Sequence, residues 1–186
     1  MSCLLANGRL EVCKDAVGGI DAVYFINYAD YAFPTDVTYV TGTDTIDAVA
    51  NVTSLYKYEL KGTNSFEQVY NSSRENGTNF AEQTLTITLK KQDATTHKSV
   101  KLLAWGRPHI VIKNRNNQFF LAGLEHGMEL TTATASNGTA MGDLNGYTLT
   151  FVGQEKLYAN LLECSSEADL AGGAGDVFGV ATIITV

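Results

Sequence analysis

Six consecutive residues, Thr84-Leu-Thr-Ile-Thr-Leu89, alternate hydroxyl and aliphatic side chains without a break. That period of two suits a strand with one buried face and is wrong for a helix. Leu85, Ile87 and Leu89 share one face, and the threonines share the other. A second run of strand character, Leu55-Tyr-Lys-Tyr-Glu-Leu60, comes before it. Together the two runs predict a hairpin whose tip, Gly62 to Ala81, has no apolar run. Structureless tips of that length are uncommon in compact proteins and are mostly functional or disordered. Phe66, Glu67, Val69, Tyr70, Arg74, Glu75 and Phe80 on this tip are therefore the first candidates for contact with a partner.

A length of 186 residues suits one domain with a core of its own. The 45% hydrophobic content, with 8 Phe and 9 Tyr, excludes a disordered chain. Charged residues make up only 18%, so Thr, Asn, Ser and Gly must supply the polar surface, as they do in many β-rich proteins. The formal net charge of −7 argues against a nucleic-acid binder, because that affinity comes from Lys and Arg neutralising phosphates. Cys3, Cys13 and Cys164 are odd in number and lack metal spacing, so reduced thiols are expected. The opening Met1-Ser-Cys-Leu-Leu-Ala6 is too short for a secretory leader, and no run is long enough to span a membrane.

Along the chain, Asp21 to Tyr28 reads as a strand buried on both faces, and Val37 to Thr41 as a shorter one. Thr45 to Ala50 fits either a brief strand or a turn of helix. The one good helix runs from about Ala94 to Trp105. Asp93 caps it, Val100, Leu103 and Ala104 form its apolar stripe, Gly106 closes it in a left-handed conformation, and Pro108 forbids continuation. Ile110 to Ile112 and Gln118 to Ala122 form a hairpin around Asn114-Arg-Asn-Asn117. Gly127 to Thr131 and Tyr147 to Val152 are strands joined by a glycine-rich connector from Ala133 to Gly146. Lys156 to Leu162 is a candidate last core strand. Residues 163–186 then read as a Gly-rich linker and an apolar C-terminal tail. Such a tail usually pairs with something, so Val177, Phe178, Ile183 and Ile184 are candidates for contact between subunits. The fold class predicted is mainly β, a barrel or sandwich flanked by a single helix.

The sequence offers little for catalysis. His97, His109 and His126 have no ligand spacing and read as partly exposed polar residues, so no metal or other cofactor is expected. Glu125, His126 and Glu129 form a polar cluster able in principle to move a proton, but no nucleophile motif accompanies them. Asp143-Leu-Asn-Gly146 lacks the repeated acids of a calcium loop and reads as a turn. Trp105 ends the helix stripe, where core packing is expected over a ligand platform. An enzyme is not expected.

The order of elements is more specific than any motif. Cys13 to Phe25 leads to Tyr58-Glu-Leu-Lys-Gly62, and the tip segment Ser72 to Phe80 gives way to the Thr84 to Leu89 strand. The helix ends in Leu102-Leu-Ala-Trp-Gly-Arg107, and Phe120 to Leu130 with Gly138 to Phe151 closes the pattern. From about Glu11 to Leu162 this resembles the tail tube proteins of tailed bacteriophages. The resemblance implies a barrel or sandwich subunit that closes into rings, hexameric in that family, by joining sheets between neighbours. The rings stack through the long hairpin loop and the termini, and the tube conducts the genome out of the capsid without holding it. It implies a virion protein assembled in the host cytoplasm, touching other tail or connector proteins and no membrane. The Val177 to Val186 tail has no counterpart in the pattern.

Related roles on the same resemblance are a head-to-tail connector ring, a tail terminator or a capsid decoration protein. A more distant alternative is a β-sandwich carbohydrate-binding module that stacks sugars on Trp105 or tyrosines.

Overall fold

A computed structural model describes residues 8–11 and 13–185; Cys3, with the whole Met1 to Ala6 opening, and the terminal Val186 lie outside them. The fold is mainly β, with 43% strand against 6% helix, and no sheet closes into a barrel. It is a layered sandwich, which settles the choice between sandwich and barrel that the sequence left open.

The first sheet is built from β1 (Ile20–Ile26), β4 (Ser54–Glu59), β7 (His109–Asn114), β8 (Phe119–Ala122), β11 (Asn160–Leu161) and β12 (Thr182–Ile184), in the order β11-β8-β7-β1-β4-β12. The second contains β5 (Ser65–Ser73), β6 (Thr78–Lys90), β9 (Glu129–Ser136) and β10 (Gly146–Glu155), in the order β5-β6-β10-β9. A two-stranded ribbon, β2 (Val37–Tyr39) with β3 (Ile46–Val49), resolves the Thr45 to Ala50 ambiguity as strand. The one α-helix among the described residues, α1, spans Ala94–Leu103.

The first sheet is covered on both faces, and the two cores follow from its alternation. Val23 and Phe25 of β1, with Ile110 and Ile112, pack against Leu85, Ile87, Leu149 and Phe151 of the second sheet. Tyr24 and Ile26 face the other way, toward Val37, Ile46 and Val49 of the ribbon and Leu170, Val177 and Phe178 of the C-terminal segment. Two-sided burial explains why β1 carries an unbroken apolar run.

Three expectations are corrected. The run Leu55 to Leu60 does not pair with Thr84 to Leu89; it is β4 and lies between β1 and β12 in the other sheet. Gly62 to Ala81 is mostly strand, because Ser65 to Ser73 pairs residue for residue with Thr86 to Thr78, leaving a turn only at Arg74 to Gly77. Its polar composition hid this, since most of β5 faces solvent and needs no apolar period. The 163–185 segment is likewise no linker. Leu170, Ala171, Val177, Phe178 and Ala181 are buried in the chain's own core, and β12 pairs in parallel with β4. Lys57 Nζ, 2.8 Å from a Glu167 carboxylate oxygen, ties the segment to β4.

The Asp93 cap forms as predicted, its carboxylate accepting from the Thr95 and Thr96 amides at 2.9 and 2.8 Å. The helix buries no residue, though Val100 and Leu103 rest against the core. It ends on Ala104 in right-handed geometry, so Gly106 does not supply the left-handed cap that was expected.

Candidate functional site

The second sheet is the part of the molecule that its own fold leaves uncovered. Its inner face carries Leu85, Ile87 and Leu89 of β6 with Tyr147, Leu149 and Phe151 of β10, all buried. Register places the odd residues of β5, the even residues of β6 and β10, and Thr132, Thr134 and Ser136 of β9 on the outer face. Thr86 sits opposite Thr150, with hydroxyl oxygens 3.5 Å apart, and Thr88 opposite Thr148, which in turn faces Thr134. The outer face is thus a threonine carpet spanning three strands. Its charges are Glu67, Glu82 and Glu129 against Lys90 at one rim, so it presents no basic surface to a polyanion.

Among the described residues, no strand pairs with either edge of this sheet. The Thr88 amide turns toward the β5 side, where Asn64 Oδ1 accepts it at 2.9 Å. Alternation then aims the N–H and C=O groups of Phe66, Gln68, Tyr70 and Ser72 on β5 outward, and likewise those of Ala133 and Ala135 on β9. Every residue from Thr131 to Ala135 is exposed. From Leu130 to Ser136 the strand has neither charge nor proline, the devices that normally protect an edge. The first sheet, by contrast, ends in a strand of two residues at one side and of three at the other.

The β5–β6 hairpin extends beyond its neighbours. The last β10 partner of β6 is Glu155, opposite Ala81, and the pairs Asn71↔Phe80, Ser72↔Asn79 and Ser73↔Thr78 project past it, about 10 Å at the usual rise per residue. A clasp holds the base of the projection. The Tyr70 and Tyr158 rings pack with centroids 4.0 Å apart, the Tyr158 amide donates to the Tyr70 hydroxyl at 3.2 Å, and the Ala159 amide donates to Gln68 Oε1 at 2.6 Å.

The predicted contact residues are therefore spread over several environments, with Phe66 half-buried against the core between the two sheets. Glu67 and Val69 lie on the outer face of β5, and Tyr70 belongs to the clasp. Arg74 and Glu75 form the exposed turn, and Phe80 is half-buried on the projecting part of β6. Val177 and Phe178 are buried inside their own chain, Ile183 is half-buried against the same core, and Ile184, 37% exposed, is paired through β12. The tail's apolar character thus serves an intrachain role. The sequence did not single out β9, whose Thr-Ala alternation carries no aliphatic signal.

The candidates for chemistry disperse. His109 is buried between Tyr28 and Tyr31, with Nδ1 facing the Gly123 carbonyl and Nε2 3.3 Å from that of Tyr28, so it is not the partly exposed residue expected. Burial pushes its imidazole below the ordinary value, and the two carbonyls oppose this. Glu125 and His126 do meet a second carboxylate, but it is the buried Glu155 in place of Glu129, and the ligand atoms of the three lie within 4.8 Å of one another. Those atoms have protein partners already. Glu155 accepts the Glu125 and His126 amides at 3.0 and 2.8 Å, and Glu125 pairs with Lys156 at 3.0 Å. Trp105 is 90% exposed, against the core role expected of it. Cys13 is exposed; Cys164 is half-buried, its thiol pushed up to about 12 by burial and by Asp169 and Glu163. No described helix is long and apolar enough to cross a membrane.

No protein-family model, curated protein or solved structure matches the chain.

Proposed function

We propose that this chain is a self-assembling virion protein, a tail tube subunit of a tailed bacteriophage, whose copies close into a ring by pairing the β5 edge of one with the β9 edge of the next. The observation that carries the reading is the β9 edge, which no described strand pairs and which is exposed on both faces from Thr131 to Ala135. A monomer would bear this as an aggregation hazard, whereas a closed ring removes it. The four strands alternate in direction, so β5 and β9 run opposite ways. Copies related by rotation about one axis then continue the same antiparallel sheet across each junction, a heterologous contact that closes.

In such a ring the first sheet, the ribbon and α1 all lie behind the inner face of the second sheet, forming the outer layer. The threonine carpet lines the bore. Hydroxyls with a small acidic excess repel phosphates weakly and bind none tightly, which is what the passage of DNA requires. The projecting hairpin reaches the adjacent ring. Rings that form but never stack would instead favour a connector or terminator. The carbohydrate-binding alternative has less support: no second aromatic ring stands beside Trp105 among the described residues, and the Tyr70 and Tyr158 rings are tilted 44° against each other and offer no flat platform.

Negative-stain imaging and mass photometry of the purified protein, alone and as Ala133→Pro, test the proposal. A proline there removes an outward N–H and no ladder bond, so the subunit should stay folded. Rings or tubes from the wild type and monomers from the variant are expected. A wild type that stays monomeric at high concentration, or a variant that assembles equally well, overturns it.

A further inference from the structure

An asparagine followed by glycine is open to attack on its own side-chain amide, because glycine has no Cβ to hinder the approach of its backbone nitrogen. The chain contains four such pairs: Asn7-Gly8, Asn76-Gly77, Asn137-Gly138 and Asn145-Gly146. Both residues are described in the last three. Two of these, Asn76-Gly-Thr78 and Asn137-Gly-Thr139, are the same tripeptide, so any difference in their reactivity comes from the fold.

The fold restrains two of the three pairs. Gly146 is buried as the first residue of β10, in register with Lys90 of β6 and Ser136 of β9, and an added Cβ would lie 2.1 Å from the Leu89 carbonyl oxygen. Its nitrogen belongs to a packed sheet. The Gly138 amide donates to Ser136 Oγ at 3.2 Å, and an added Cβ there would lie 2.6 Å from Asp143 Cβ. Asp143 Oδ2 also accepts the Thr139 and Ala140 amides at 2.8 and 2.7 Å, so the chain beyond Gly138 is pinned.

Asn76-Gly77 lacks every one of these restraints. It closes the four-residue turn Arg74 to Gly77 at the end of the projecting hairpin, where residues 74–79 are all exposed. The Asn76 amide donates to Ser73 Oγ at 3.3 Å, but neither the Asn76 carboxamide nor the Gly77 amide has a hydrogen-bond partner among the described residues. Gly77 holds φ at +62°, and no atom lies within 4 Å of the place a Cβ would take. The attacking nitrogen and the carbon it attacks are both in water.

We infer that Asn76 is a site of spontaneous self-modification, at which the Gly77 backbone nitrogen closes on the Asn76 side chain. The nitrogen gives up its proton and bonds to Asn76 Cγ as the Cγ–Nδ2 bond breaks, and Nδ2 leaves with that proton as ammonia. The cyclic imide then takes up one water. Opening at Cγ leaves an aspartate in an ordinary chain, whereas opening at the main-chain carbonyl carbon routes the backbone through Cβ and Cγ as an isoaspartyl link. No oxidant, reductant or second copy of the chain takes part, so the reaction is independent of ring formation. Either product places a second carboxylate beside Glu75, and the isoaspartyl form also adds one backbone atom to a turn closed by the Ser73↔Thr78 pair. The hairpin end thus carries a chemical clock of the folded chain.

Incubating the purified full chain in mildly alkaline buffer, with peptide mapping by mass spectrometry over time, tests this. In the folded protein Asn76 should convert several-fold faster than Asn137 or Asn145, with isoaspartyl product at that position. In urea the rates at Asn76 and Asn137 should come together, because only the fold separates them. Asn76→Gln should abolish conversion at that position, since its longer side chain must close a larger ring, and should leave the rates at Asn137 and Asn145 unchanged. Conversion of Asn76 no faster than that of Asn137 in the folded protein, or a gap between the two that persists in urea, overturns the inference.

Discussion

The side chain of Gln83, 1% exposed on β6, bridges the two sheets: its Oε1 accepts the Gly123 amide at 2.9 Å at the end of β8. Its Nε2 reaches the Leu157 carbonyl at 3.4 Å. One buried amide thus joins the second sheet to the first and to the turn that carries the Tyr158 clasp. Gln83→Leu should strand the Gly123 N–H and cost about 1–3 kcal/mol of stability, read as a lower urea midpoint with an unchanged slope.

The Tyr70–Tyr158 clasp orders the base of the projecting hairpin. Tyr158→Ala should cost only about 1 kcal/mol globally, since the pair is half-exposed. Its clearer effect should be faster amide exchange confined to residues 70–80, with the rest of β6 still protected.

Phe178 is 2% exposed between the first sheet and the C-terminal turns. Phe178→Ala should cost about 3–5 kcal/mol by cavity formation. It should also release β12 from β4, so that limited proteolysis cuts within residues 165–181 in the variant and not in the wild type.

His109 makes stability depend on pH. Burial lowers its folded-state pKa, so between that value and the ordinary imidazole value near 6.5 the unfolded chain binds more protons than the folded one, and stability rises with pH. Its contribution is full above the ordinary value and falls as pH drops below it. Urea midpoints at pH 7.5 and pH 5 should differ in the wild type, and His109→Gln should flatten the part of that difference due to this group.

The buried face of the second sheet was legible in advance, because Leu85, Ile87 and Leu89 meet a hydrophobic core and a core imposes the period of its strand. The Asp93 cap, the turn at Asn114 to Asn117 and β1 with its two buried faces were legible for equally local reasons. β5 was not. Its nine residues face solvent on most positions, so nothing forces an apolar period on them, and a strand paired on one side only looks like a loop. β9 was missed in part for the same reason.

The sequence alone determined the mainly β class, the helix start and the one-sided character of β6, because side-chain period and capping chemistry act within a few residues. The tertiary structure decided which strands are neighbours, that the tail from Val177 to Ile184 folds into its own subunit, and that β5 and β9 border the same sheet. Those facts depend on the free energy of burying surfaces far apart in the chain, which no local window contains. Whether an edge is left unpaired is likewise a property of the assembled sheet, and on that property the functional reading depends.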